Sequence, residues 1–157
     1  MKKSILILLF LIAHYSYGQN VPLTKENLFK KFKESIKQNS KNSITTNSNP
    51  WVICNDDSLY YKSDTLKLTP HSNNYPDCKC SCFIDWTFYK KGAFILTKEF
   101  INEPRQISVA QDWYVIKLLE KNKDLILETY NQNKVIEQFK VLSINPNIIL
   151  LRIKVNH

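Results

Sequence analysis

The sequence predicts a mainly β chain: an antiparallel up-and-down barrel or half-barrel of about eight strands, preceded by an N-terminal amphipathic helix. Three observations lead there. From Trp51 onward, short β-branched and aromatic runs follow one another with little between them but turn residues. The joints are polar and rich in asparagine, which tolerates the backbone of a tight turn. Strong helical periodicity occurs once only, between residues 23 and 39. A meander built this way must hide the edges of its sheet, and closing into a barrel does so.

The chain opens with MKKSILILLFLIAHYSYGQN. Two lysines, a short apolar run and a small-residue ending are the layout of a secretory signal peptide, expected over residues 1–18. The apolar run is shorter than the roughly 20 residues a spanning helix needs. The YGQ ending resembles that of exported proteins of the Bacteroidetes group. A secreted or periplasmic protein is therefore expected. Removal of residues 1–18 lowers the formal charge from +8 to +6 and leaves 139 residues, enough for one domain with a real core. Residues 19–50 carry a net charge of +4 and residues 51–157 only +2, so the basic character belongs mostly to the front segment.

LTKENLFKKFKESIKQN (23–39) reads as a helix. Leu28, Phe29, Phe32 and Ile36 recur at the spacing of one face, Thr24 suits the N-cap, and Leu23 is placed to staple onto Leu28. Its lysines fall off the apolar stripe and form a solvated basic face. A membrane-surface or nucleic-acid helix is the sharper alternative; lysine count alone supports it, and export argues against a nucleic acid. QNSKNSITTNSNP (38–50) is a polar linker.

The β domain, 51–157, offers strands at 51–54, 59–68, 82–90, 93–101, 112–120, 124–130, 134–144 and 148–155. Lys91-Gly92, KNKD, YNQNK and NPN make the turns. Pro76 and Pro104 keep their neighbourhoods out of central strands. In CFIDWTFYK, Ile84, Trp86 and Phe88 share a face opposite Asp85 and Thr87, which makes Asp85 a solvated or hydrogen-bonded structural carboxylate. WYVIK and IILLRI are apolar on both faces, an indication that something covers them outside, with the N-terminal helix as the candidate.

Four cysteines bear on the chemistry: Cys54 and the CKCSC run, Cys78, Cys80 and Cys82. Export and an even count favour disulfides. If CKCSC is extended, its outer cysteines are about 13 Å apart and cannot bridge. Cys54 then takes an end cysteine, and the remaining pair forms a tight Cys-x-Cys ring or stays free. The expected pairing is Cys54–Cys82 with Cys78–Cys80. A Cys₄ zinc or copper(I) site with His71 nearby is the minority alternative, since zinc pairs usually have two to four intervening residues. A labile redox-active Cys78–Cys80 bridge is another.

The catalytic inventory is thin. His71 and His157 are the only histidines after residue 18, Gly92 the only glycine, and no metal-protease, nucleophile-elbow or phosphate-loop motif occurs. Asp56 and Asp57 suit a loop better than an acid/base pair. No catalytic residue, metal or cofactor is expected, nor a nucleic-acid partner.

From Trp51 to Val155 the chain resembles the lipocalin-like domains of secreted Bacteroidetes proteins. The resemblance rests on an early strand Trp51, then Cys82, Asp85, Phe88, Gly92 and Phe94 in CFIDWTFYKKGAF. DWYVIKLLEKNKDLILETY and FKVLSINPNIILLRI follow in the expected order. Asn49 stands where lipocalins place a glycine, and the stretch between Trp51 and Cys82 is longer than in short family members. The resemblance implies a non-catalytic protein holding a small apolar or amphipathic ligand in the barrel mouth, lined by Trp86, Phe88, Phe94, Trp113, Val115 and Phe139. It also implies that Arg152 packs over Trp51. A filled barrel acting as an envelope structural or protein-interaction module is the alternative.

Overall fold

The structure, a computed structural model, describes residues 21–37, 49–71, 80–102 and 105–154. The expected signal peptide, nearly all of the polar linker, Cys78 and His157 lie outside the described residues. Eight strands form: β1 (Trp51–Cys54), β2 (Thr65–Pro70), β3 (Cys82–Lys90), β4 (Ala93–Asn102), β5 (Arg105–Lys121), β6 (Asp124–Asn131), β7 (Lys134–Ser143) and β8 (Ile148–Ile153). They close into one antiparallel barrel in the order β1-β2-β8-β7-β6-β5-β4-β3. β3 to β8 are a simple meander. β1 and β2 complete the ring, β2 pairing with β8 and β1 with β3.

Two turns carry consecutive left-handed residues, Asn122-Lys123 (φ 52° and 68°) and Gln132-Asn133 (φ 47° and 66°), the backbone that matches the twist of a two-residue hairpin. Gly92, at φ +75°, makes the third, and a Cβ there would lie 3.5 Å from the Phe29 ring.

Two expected strands are different. β5 starts at Arg105, seven residues before the expected 112. The expected strand 59–68 is preceded by a 3₁₀ turn (Asp56–Ser58) and itself begins as a single helical turn α2 (Leu59–Lys62; the N-terminal helix is α1, Lys25–Lys37), with β2 starting only at Thr65. Asp57 and Ser58 adopt left-handed backbone, and the Tyr60 N–H donates to Asn55 Oδ1 at 3.1 Å. The chain folds back, and Tyr60, 2% exposed, enters the barrel.

Inside, alternate residues of every strand meet. Trp51, Leu68, Ile84, Trp86, Phe88, Phe94, Leu127, Phe139, Ile148 and Leu150 belong to one buried cluster. α1 starts at Thr24, whose Oγ1 accepts from the Asn27 N–H at 3.2 Å. Leu23, the expected staple, is 45% exposed. α1 does not cover the outer wall. Its apolar stripe stops one end of the barrel: Leu28 and Phe32 are fully buried, and Phe32 stacks on Phe88 at 4.1 Å and meets Trp51 edge-on. Burying these two side chains stabilises the closure by roughly 3–6 kcal/mol. The barrel therefore has an α1 end and an α2 end, each with its own stopper.

Candidate functional site

Of the six residues expected to line a ligand site, the structure brings four together. Trp86, Phe88, Phe94 and Phe139 are at most 1% exposed. Trp86 stacks on Phe94 at 4.5 Å and meets Phe139 at 6.2 Å, and Phe88 lies 5.3 Å from Phe94. With Phe32 added from α1, each ring has another ring against it. Trp113 and Val115 do not join them: they are 58% and 48% exposed, on the outer wall. The pair Phe94↔Tyr114 faces inward, which turns both of Tyr114's neighbours out. Because WYVIK is apolar on both faces, its sequence does not reveal this parity.

The α2 end holds a polar network. Glu137 opposes Thr129 and Arg152 opposes Phe139, so both acid and base point inward. Arg152 Nη2 pairs with Glu137 Oε1 at 2.9 Å and donates to the Tyr60 carbonyl at 2.8 Å. Its Nη1 donates to the carbonyls of Tyr61 and Ser63, each at 3.1 Å. The Tyr60 hydroxyl donates to Glu137 Oε2 at 3.1 Å. Burial, then the Glu137 charge, pushes the Tyr60 phenol well above its ordinary value. Burial also raises Glu137, against the pull of Arg152. Arg152 thus lies over Tyr60 and Phe139, at 5.7 and 5.6 Å, and not over Trp51 as the resemblance implies. Trp51 opposes Pro70 at the α1 end, whereas Arg152 lies next to the last residue of β8 at the other. The network ties down α2 through both Arg152 Nη groups and the Glu137 carboxylate, while Arg152 Nε is buried without a hydrogen-bond partner among the described residues.

The sulfurs pair differently from the expectation. Cys54 is bonded to Cys80, with Cα atoms 5.9 Å apart, and Cys82 is buried and unbridged. Register explains this. Cys54 opposes Phe83, so Cys54 and Cys82 project from opposite faces of the sheet. Cys82 turns inward and accepts from Asn55 Nδ2 at 3.6 Å. Cys80 precedes β3 and is free to reach round. Asp56 holds that bend, its carboxylate accepting from the Ser81 and Cys82 N–H groups. Cys54, Asp56 and Cys80 hold donor atoms within 4.8 Å of one another, but two of these are the sulfurs of one disulfide.

Asp85, expected as a solvated or bonded carboxylate, is 4% exposed although it faces outward. Burial first and the neighbouring Glu99 second raise it to about 8. The outer face also carries grooves. One of about 280 Å³ opens where β1 and β2 part after two paired positions. Another, of about 390 Å³, lies beside Arg152 and Tyr61. On the wall, Trp113 meets Tyr89, itself 41% exposed, at 5.2 Å. Tyr89 escaped the sequence reading; its place opposite the inward set Ile84, Trp86 and Phe88 was the available signal.

Fold and side chains together define a small, closed, eight-stranded antiparallel barrel with a stopper in each end. Comparison with protein families, curated proteins and solved structures finds no match.

Proposed function

We propose that this chain is an exported, non-catalytic barrel that works through its outer surface and not through a ligand held inside. One observation carries the reading: the four inward aromatic residues of the expected lining pack ring against ring, between stoppers at both ends. A lipid-like guest would have to displace Phe32 or Tyr60 to enter. The Cys54–Cys80 bridge supports an oxidising compartment. Among the described residues no helix is long and apolar enough to cross a membrane. The titratable cluster at the α2 end serves α2, which supports a structural role for those groups. Native mass spectrometry of the purified protein, with organic extraction alongside, tests the reading. The expected result is the mass of the polypeptide alone and an empty extract. A stoichiometric lipid-like molecule would overturn it in favour of a ligand carrier.

A further inference from the structure

The barrel's two ends differ in charge. At the α1 end, α1 contributes Lys30, Lys31 and Lys33, the β3–β4 turn Lys90 and Lys91, and the β5–β6 turn Lys121 and Lys123. All are exposed except Lys31, which is half-buried. Two further lysines there are already paired, Lys25 with Glu120 at 3.8 Å and Lys140 with Asp124 at 2.8 Å. Among the described residues, the carboxylates left to offset those seven lysines are Glu26 and Glu34. At the α2 end, by contrast, acids are interspersed with the cations: among the described residues Asp56, Asp57, Asp64, Glu99 and Glu137 stand against Lys62, Lys98, Arg105, Lys134, Arg152 and Lys154.

The lysine-rich rim also carries apolar groups that no other element covers. β5 exposes Trp113, Val115 and Leu119 in one outward column, with Lys117 between the last two. Val115 opposes Ala93 at the β3–β4 turn, so the column stands just under the lysines. Tyr89 joins Trp113 from β3 with Lys90 over its ring, and Leu23 adds a 45% exposed side chain ahead of α1.

We infer that the α1 end docks on an anionic lipid surface, a partner class that deepens the surface-acting reading proposed above and rests on it. Lysines near such a surface each gain about 1 kcal/mol from the headgroup charge. A dissolved polyanion would engage the lysines but would leave Trp113, Tyr89 and Leu119 in water. An interface with an apolar layer beneath its phosphates takes both, and tryptophan and tyrosine rings favour that depth. Trp51 and Trp86 are buried at 3% and 0% exposure, so a change in emission on docking reports Trp113.

The full chain is mixed with phosphatidylcholine vesicles, with and without phosphatidylglycerol, and followed by co-sedimentation and tryptophan fluorescence. The expected result is binding to the phosphatidylglycerol vesicles alone, weakened by salt, with a blue shift. The double variant Lys90→Gln, Lys91→Gln should bind roughly 10–30-fold more weakly. Trp113→Phe should still sediment with the vesicles and lose the blue shift. Circular dichroism confirms that each variant is folded. Absence of binding at low salt overturns the inference. So does binding without a change in Trp113 emission, or an equally tight complex with dextran sulfate, which would mark a polyanion site. A lipid extracted from the barrel interior would sink the filled-barrel reading instead, and failed vesicle binding with an empty extract would sink only the docking.

Discussion

Asp85 projects outward from β3, yet water barely reaches it. Val52 opposes it on β1 and Thr97 on β4, neither charged, and Glu99 is the acid beside it. Its carboxyl, ordinarily at 3.8, is raised to about 8, so between those values the folded chain binds more proton than the unfolded one. Stability from this group is present at low pH and is lost as pH rises through that window, by up to about 1.4 kcal/mol per pH unit. Asp85→Asn should flatten that decline and stabilise the protein at neutral pH, as read from urea midpoints across the window. Arg152 makes a contrasting case. It serves Tyr60, Tyr61 and Ser63 carbonyls as well as Glu137. Arg152→Ala should cost about 2–4 kcal/mol in denaturant unfolding, because it leaves a half-buried carboxylate and freed carbonyls behind. Arg152→Lys should recover little of this, since an ammonium lacks the planar fork.

Among the elements, β1 and the bend before β3 are joined by the Cys54–Cys80 bridge. It closes a separation of 26 residues that includes α2 and β2. Removing it by Cys54→Ser with Cys80→Ser should lower stability by roughly 3–4 kcal/mol. Cys82→Ser should leave the bridge intact. Non-reducing tryptic mapping checks both, because cleavage after Lys79 separates Cys78 from Cys80. The stopper α1 contributes through Phe32. Phe32→Ala should cost about 3–5 kcal/mol in guanidinium unfolding, as the ring leaves a void against Phe88 and Trp51.

For the whole molecule, the local pattern carried most of the architecture. CFIDWTFYK forms a strand with the bounds that its alternation indicates, and the Asn-rich joints turn where they should. The ring closes, and does not stop at a half-barrel, because β1 and β2 pair with β3 and β8. What escaped depends on partners far away in sequence. LYYK has strand-like composition, but Asn55 and the barrel mouth draw it into a helical turn. The disulfide follows from the β1–β3 register, which no local pattern encodes. Trp113 and Val115 lie in a run apolar on both faces, where parity is settled by Phe94↔Tyr114. The site was legible as a set of inward aromatic residues on β3, β4 and β7. That α1 and Tyr60 fill the openings beside them was not.

The order of these pieces along the chain has a kinetic consequence. α1 is made before its socket exists, for Trp51, Phe88 and the Gly92 turn that receive it are assembled only when β1, β3 and β4 have paired. Its docking is therefore expected late in folding, after the rate-limiting barrier. Weakening it by Phe32→Ala should accordingly hasten unfolding and leave the refolding limb of a chevron nearly where it was.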